Sequence, residues 1–324
     1  MNRSSGRLNL HDHRSGKIGR CSLIVMVALF SSASVNGQTE DASAPPAEEE
    51  EAFETESIEA LDETPSVNFF GLDAAPLVGS LVTDRPDFTE STLTVPRGRF
   101  QLEAGYTFTS DKEDGVRTKD HTFPEVLLRV GLIDDVELRI GWSGWSLSRE
   151  EFRERNEAGR TVKMHTRDNG GTDMNIGFKI HLLDQDEWIP DFGIIIAADL
   201  PTGASGKTSG DVDPLLGLLW AYDLTDELAL AGNVNFAVPT SEKGRFFQTS
   251  ASVSLAFSLT DDLGAYVEYY GFYNNDRNTD AAHFANGGFT YLITDNFQVD
   301  VRVGAGLNEE ADDFFVGTGF AWRF

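Results

Sequence analysis

The sequence predicts an all-β protein, a transmembrane antiparallel up-and-down β-barrel of about twelve strands. Three observations carry this prediction. Apolar and polar residues alternate strictly over long segments, tight turns of similar sequence recur between these segments, and the chain ends on an aromatic residue. The N-terminal region has a different composition, and there the sequence predicts a signal peptide followed by a disordered acidic linker.

Strict alternation is clear near the C-terminus, where Phe297, Val299 and Val301 are apolar while Gln298 and Asp300 between them are polar. Alternation over about ten residues matches a tilted membrane-spanning strand and exceeds the roughly five or six residues of a common globular strand. The same pattern predicts strands at 99–109, 122–132, 136–146, 171–181, 190–200, 211–223, 227–238, 246–259, 263–273, 281–292, 296–307 and 312–324.

The predicted turns fall into two classes. Residues 132–135, 224–227, 259–262 and 293–296 are variants of one tight turn with Asp, Asn or Thr, whose side chains bond nearby backbone groups. The other connections include longer ones, of which 147–170 is predicted to be a long charged loop. Short periplasmic turns and longer extracellular loops are typical of an outer-membrane barrel, and an even strand number places both ends of the barrel on the periplasmic side.

The N-terminal region divides into three predicted parts before the barrel at 99–324. Residues 1–37 resemble a secretory signal peptide, since basic residues precede the apolar run 23–30 and small residues follow it. Residues 38–65 are rich in Glu, Ala, Pro and Ser and carry no basic residue, which predicts a disordered periplasmic linker. Residues 66–98 are predicted to be a periplasmic lead-in.

The charge balance excludes one class of partner. The chain has 53 acidic residues against 26 Lys and Arg, a net charge of −27, which argues against a nucleic-acid partner. We expect outer-membrane lipid, the barrel assembly machinery and a small-molecule solute as partners. No cofactor motif, catalytic constellation or His/Asp/Glu cluster with metal-ligand spacing is recognisable, so no cofactor, catalytic residue or metal is predicted.

The final strand carries a predicted assembly signal. Gly319, Trp322 and Phe324 resemble the pattern read by the outer-membrane assembly machinery, in which a glycine precedes aromatic or apolar residues at the third-last and last positions. A terminal strand has to be recognised and paired, because unpaired backbone in lipid is costly.

The sequence TDRPDFTES at residues 83–91 resembles the lead-in of a bacterial outer-membrane barrel family labelled "putative MetA-pathway of phenol degradation". The segments 96–105 and 200–203 also look like that family, and the resemblance extends over residues 80–324. It implies a transporter-like barrel that passes small solutes, aromatic compounds among them.

Two interpretations of the lead-in motif follow from its residues Asp84, Arg85, Pro86, Asp87 and Glu90. In one, the charges reach into the barrel mouth and constrict or gate it. In the other, which the sequence favours, they tie a rigid turn against the periplasmic rim, with Pro86 restricting the backbone.

Parity along the strands places a set of charged side chains in the lumen. Such residues either pair across neighbouring strands or line a polar, selective channel. Because acids outnumber bases, the hypothesis is a preference for cations or neutral polar solutes. The candidate lumen residues are Glu103, Glu125, Arg129, Glu137, Arg139, Asp173, Lys179, Asp199, Glu268, Asp300 and Arg302.

The sequence therefore predicts a passive outer-membrane channel or transporter for small solutes, and not an enzyme. Two alternatives remain open. One is a barrel with a plugged bore and a structural role. The other is an outer-membrane hydrolase that uses a serine with His283 and Asn286, although no spacing specifies such a site.

Overall fold

The computed structural model describes residues 66–155, 160–241, 243–274, 276 and 279–324. The predicted signal peptide (1–37) and acidic linker (38–65) lie outside the described residues. In the described part of the chain no helix is long and apolar enough to cross a membrane. The strands are β1 (Phe100–Glu113), β2 (Val116–Ile133), β3 (Val136–Trp142), β4 (Trp145–Arg155), β5 (Thr161–Gly171), β6 (Met174–Leu183), β7 (Asp191–Leu200), β8 (Asp213–Thr225), β9 (Leu228–Ala237), β10 (Thr240–Ser241), β11 (Gly244–Arg245), β12 (Gln248–Ser258), β13 (Leu263–Tyr273), β14 (Ala282–Thr294), β15 (Phe297–Gly306) and β16 (Phe314–Arg323).

Twelve of these strands form one closed antiparallel barrel, in the order β1, β2, β3, β6, β7, β8, β9, β12, β13, β14, β15 and β16. The last strand closes the ring on the first, in a register that runs from Gln101 opposite Arg323 to Ser110 opposite Phe314. Closure leaves the barrel without an edge strand, so all of its backbone groups can pair inside the membrane. The predicted architecture is confirmed.

The prediction of a long loop at 147–170 is wrong. Strands β4 and β5 form a hairpin there, and β4 also pairs with the distal part of β2. An ion pair links the two strands, with Lys163 Nζ of β5 2.6 Å from the carboxylate of Glu151 on β4, and Arg149 Nη2 of β4 lies 3.0 Å from the same carboxylate. Water can solvate both faces of a sheet that extends past the membrane, so these strands lack the apolar face on which the prediction relied.

The two faces of the barrel differ as the alternation predicts. On the outside, Val253, Val267 and Val303 are 40–55% exposed, although they are apolar. On the inside, polar residues such as Asn233 and Ser250 are fully buried. An apolar outer belt around a polar interior is the reverse of a soluble protein, and it fits a barrel that spans a membrane.

Aromatic rings gather where the barrel begins and ends. Phe324 stacks on Phe100, with ring centroids 5.8 Å apart, and also contacts Phe69 and Trp322. Girdles of aromatic residues mark the membrane interfaces of such barrels. Trp322 and Phe324 of the predicted assembly signal therefore belong to this girdle, whatever their role in assembly.

Candidate functional site

The most distinctive feature of the lumen is a chain segment inside it, residues 83–95, which we call the inner loop. Before the segment, the N–H of Leu81 donates to the carbonyl of Asp295 in the β14–β15 turn (2.7 Å). At its end, the N–H of Val95 donates to Glu137 near the start of β3 (2.7 Å). Between these points Phe88 stacks on Tyr270, near the far end of β13, with centroids 4.6 Å apart. The inner loop therefore rises past the middle of the barrel and returns.

The interpretation favoured from the sequence, a turn tied against the periplasmic rim, is wrong. Asp84, Arg85, Asp87 and Glu90 contact side chains of the inner barrel wall, as the other interpretation expected. Sequence could not decide between the two, because the charges of a short motif satisfy partners at a rim and in a bore equally well.

Asp84 is the centre of a buried charge cluster. Its Oδ1 and Oδ2 accept from Lys179 Nζ at 2.7 and 2.8 Å, it pairs with Arg139, and Arg129 Nη1 lies 3.5 Å from Oδ2. Glu137 completes the cluster, with Oε1 2.8 Å from Arg129 Nε. These five side chains are at most 4% exposed. Three cations from three strands thus converge on one carboxylate of the inner loop.

The charge state of Asp84 follows from these contacts. Burial alone raises the pKa of a carboxyl, but the positive charges of Arg129, Lys179 and Arg139 outweigh burial and hold the pKa of Asp84 well below its usual range. Asp84 is therefore ionised at neutral pH, and its charge anchors the inner loop to β2, β3 and β6.

Arg85 occupies a slot between two glycines of the barrel wall. Gly105 on β1 and Gly319 on β16 face each other, and a Cβ on either would lie within 2.6 Å of the Arg85 guanidinium. Across the slot, Arg85 Nε lies 3.2 Å from Asp300 and Nη1 3.4 Å from Glu125. Gly319, which the sequence predicts to be part of the assembly signal, leaves room for the guanidinium, since any side chain there would displace it.

The tip of the inner loop is held by a carboxylate. Glu268 accepts from the N–H groups of Phe88 (2.9 Å) and Thr89 (2.7 Å), and from the Thr89 hydroxyl (2.7 Å). Arg302 donates to the carbonyl of Pro86 (2.8 Å), two residues before Phe88. Polar side chains of β13 and β15 therefore fix the tip without any covalent link.

An aromatic patch lies on the inner wall around this tip, and sequence reasoning missed it. Tyr270 stacks on Phe284 with centroids 4.8 Å apart, and Phe272 and Phe315 pack beside them. The alternation along the strands could have revealed the patch, because these residues share the inner face with Glu268. A prediction of lumen residues that considers only charged side chains does not include them.

Nine of the eleven predicted lumen residues contact the inner loop or the carbonyls that flank it. The two others lie elsewhere. Asp173 accepts from the N–H groups of Gly203 (2.7 Å) and Ser209 (2.9 Å) in the β7–β8 loop, and Asp199 accepts from Asn175 (2.9 Å). The sequence predicted each of these nine residues separately, and only the fold shows that all nine contact the inner loop.

The exit of the inner loop depends on the absence of a side chain at Gly131. A Cβ there would lie 2.1 Å from the carbonyl oxygen of Pro96 and 2.4 Å from that of Val95, both backbone atoms that cannot rotate away. We expect Gly131→Ala to displace this exit and to lower the temperature at which the folded barrel loses its fast gel mobility. Gly141→Ala on β3 is the control, since its nearest contact would be an ordinary 3.4 Å. Equal stability of the two variants would contradict the close approach.

Comparison with known proteins gives one decisive result. A family model described as "Putative MetA-pathway of phenol degradation" matches residues 83–324. The chain belongs to this family. In this phenol-degradation family member the match begins at Thr83, the first residue of the inner loop, so the family model covers the inner loop as well as the barrel. No curated protein matches the chain.

Solved structures resemble the family member in fold at low identity. An outer membrane channel from Pseudomonas putida F1 is 13% identical, with 71% of this chain and 97% of that chain covered and a TM-score of 0.49. The NanC porin is 12% identical (69% and 100% covered, TM-score 0.40), and the KdgM porin, solved with disordered oligogalacturonate, is 13% identical (68% and 99%, TM-score 0.38). The location of this chain in the outer membrane rests on its own closed barrel and apolar belt.

Proposed function

We propose that the protein is an outer-membrane channel through which small solutes diffuse, and that the inner loop sets the width of its passage. The observation that carries this proposal is that the bore accommodates two limbs of chain side by side. The Arg129 guanidinium donates to the carbonyl oxygens of both Val82 (3.1 Å) and Leu93 (2.8 Å), which lie on the ascending and the returning limb. A barrel that encloses two backbone segments has room for a small solute when those segments shift.

Conductance of the purified protein in planar lipid bilayers tests the proposal. We expect discrete channel steps and a preference for cations, because acids exceed bases in the chain. A clear anion preference would refute the proposed selectivity. A silent membrane with correctly folded protein would refute the open channel.

A permanently plugged barrel is the second candidate, and the buried charge cluster favours it. Arg129, Lys179 and Glu137 are at most 1% exposed, and such a network resists the entry of water. Conductance with and without the inner loop distinguishes the two candidates. A plugged barrel conducts only after the loop is removed, whereas a channel conducts with the loop in place.

We further propose that aromatic compounds are among the solutes. The stacked rings of Phe88, Tyr270 and Phe284 form an apolar aromatic patch within a polar bore, and the edges of such rings favour contact with another ring. The description of the family agrees with this proposal. Uptake into proteoliposomes of benzyltrimethylammonium and of its cyclohexyl analogue, cations that the bilayer itself excludes, tests it, and equal rates for the two would count against aromatic selection.

We propose no catalytic role. His283 and Asn286, the residues considered for a hydrolase, have different partners: His283 bonds to the Tyr269 hydroxyl (2.7 Å), whereas Asn286 bonds to Tyr266 (2.7 Å) and Glu268 (2.6 Å). An odd separation along one strand places them on opposite faces of β14. Ester hydrolysis that depends on His283 would overturn this proposal. We also propose, as the sequence predicts, that the assembly machinery reads Gly319, Trp322 and Phe324.

The loop tip carries an acid whose environment disfavours charge. Burial raises the pKa of Asp87 well above its ordinary value of 3.8, and the nearby negative charges of Glu268 and Asp84 add to the rise, while a hydrogen bond from Ser254 (3.0 Å) opposes it. Tyr266 faces the same acid. Asp87 is therefore held more readily in its neutral form than in its charged form.

This environment predicts a pH-dependent passage. Below pH 3.8 Asp87 is neutral whether the loop is docked in the bore or displaced from it. As the pH rises from there toward the raised pKa of the docked state, Asp87 ionises only when the loop is displaced. The docked loop therefore loses stability relative to the displaced loop over this range. We expect conductance to increase with pH over this window, and Asp87→Asn to remove the increase. Asp73→Asn, outside the inner loop, is the control. A conductance of Asp87→Asn that keeps the wild-type pH dependence would contradict the assignment.

A further inference from the structure

A cluster of potential metal ligands lies far along the chain from the inner loop, at the β6–β7 connection. His181 stands near the end of β6, Asp191 begins β7, and Asp184 lies in the turn between them. One ligand atom from each lies within 4.8 Å of the others. The sequence shows only a His and an Asp three residues apart, and the hairpin brings the third residue to them. The sequence therefore predicted no metal site.

The cluster contains two buried polar atoms without a hydrogen-bond partner among the described residues, His181 Nδ1 and Asp191 Oδ1. The two atoms are 3.4 Å apart, and the His181 side chain is only 10% exposed. Leaving such groups buried and without a hydrogen bond is unfavourable, and a ligand bound between them would satisfy both atoms.

A metal ion fits the observed spacing. An ion about 2.05 Å from a ring nitrogen and from a carboxylate oxygen that are 3.4 Å apart subtends about 110° between them, close to the tetrahedral angle. On the other side of the ring, Nε2 lies 3.1 Å from Asp184 Oδ1. A carboxylate that accepts from the second ring nitrogen is the usual support of a metal-binding histidine, since it fixes the tautomer and the ring orientation.

The turn is held in place by contacts that do not involve these three residues. Gln185 donates to the carbonyl of Asp223 (3.1 Å) and accepts from its N–H (2.7 Å), and the Tyr222 hydroxyl donates to the carbonyl of Trp188 (2.7 Å). Both partners lie on β8. The turn that carries Asp184 is thereby anchored to the neighbouring strand, so its position does not depend on a bound ion.

We propose that His181 and Asp191 bind a divalent transition-metal ion such as Zn²⁺, that Asp184 orients the histidine, and that water completes the coordination. Imidazole with carboxylate favours Zn²⁺ and its neighbours over Mg²⁺ and Ca²⁺, which take oxygen ligands. The ion would join the end of β6 to the start of β7 at the periplasmic end of the barrel, where it is accessible from the periplasm. The proposal is independent of the channel function.

Cobalt(II), which substitutes for zinc and absorbs visible light, tests the site in the folded, detergent-solubilised full chain. We expect one equivalent to bind with the intense absorption of a tetrahedral or five-coordinate centre, and Zn²⁺ to displace it. His181→Gln and Asp191→Asn should each weaken binding at least tenfold, and Asp184→Asn should weaken it less. His283→Gln is the matched control, because it removes a histidine elsewhere on the barrel.

Heat-modifiable gel mobility of each variant confirms that its barrel is folded. The proposal is overturned if the folded wild type binds no stoichiometric cobalt, or if His181→Gln binds it as the wild type does. The second outcome would assign the binding to other side chains, and the first would leave His181 and the two aspartates as an ion-paired cluster. Neither outcome bears on conductance, so the channel proposal is tested separately.

Discussion

Replacing Asp84 by asparagine is expected to release the inner loop from the wall formed by β2, β3 and β6. The substitution removes the charge that Lys179, Arg139 and Arg129 share and leaves three buried cations with one partner fewer. Removing one partner of a buried ion pair costs about 3 kcal/mol or more. We expect weaker protection of the loop's amides from hydrogen exchange, and larger and noisier channel currents.

Asp73→Asn is the matched control for this prediction. It makes the same chemical change in an ion pair with Arg97 (2.8 Å), but there the carboxylate is 71% exposed. Exposed pairs contribute little to stability, so the control should keep the amide protection and the currents of the wild type. If Asp84→Asn behaved like this control, the buried cluster would not be what holds the loop.

Removing the loop itself should have the largest effect on conductance. The carbonyls of Val82 and Leu93 are bound by one guanidinium, so a short Gly-Ser linker can join residue 83 to residue 93 in place of residues 84–92. The linker would bypass Asp84, Arg85 and the tip at Phe88. The twelve barrel strands keep their pairing, because none of them includes the removed residues. We expect a severalfold increase in single-channel conductance.

A second variant controls for general damage to the barrel. Shortening the β4–β5 hairpin removes a similar length of chain from a part of the sheet outside the closed ring. This change should leave the narrowest part of the passage and its conductance nearly unaltered. A loop-deleted barrel that folds, shows heat-modifiable mobility and conducts no better than the wild type would show that the constriction lies elsewhere.

The sequence predicted the barrel well, because membrane-spanning strands have to repeat one simple rule. Alternation placed Phe297 outside and Asp300 inside, and the final strand was predicted to close the ring, as its register with β1 confirms. The rule failed at 147–170, where strands without an apolar face extend past the membrane. The aromatic patch went unnoticed for the opposite reason, since Phe284 is an apolar residue on the polar face.

The inner loop could not be placed from the sequence for a different physical reason. Its partners are scattered along the chain, from Glu103, which is 19 residues from Asp84, to Asp300, which is 215 residues from Arg85. No local pattern encodes such a contact. The glycines opposite the guanidinium, Gly105 and Gly319, look like ordinary strand glycines until the loop is in the bore. The sequence therefore singles out the motif at residues 83–91 as unusual but does not place it inside the barrel.

Thiol accessibility tests most directly the central claim that residues 83–95 lie inside the barrel. Thr89 is 5% exposed at the tip of the inner loop, and Ser80, just before the loop, is exposed. Cys21, the single native cysteine, is first replaced by serine. Cysteine is then introduced at either position, and the rate of labelling by a bulky maleimide is measured in the folded barrel and after heat unfolding. The predicted result is slow labelling of the Thr89→Cys variant when folded, fast labelling of Ser80→Cys, and equal rates once both are unfolded. Equal rates in the folded barrel would contradict the placement of the loop.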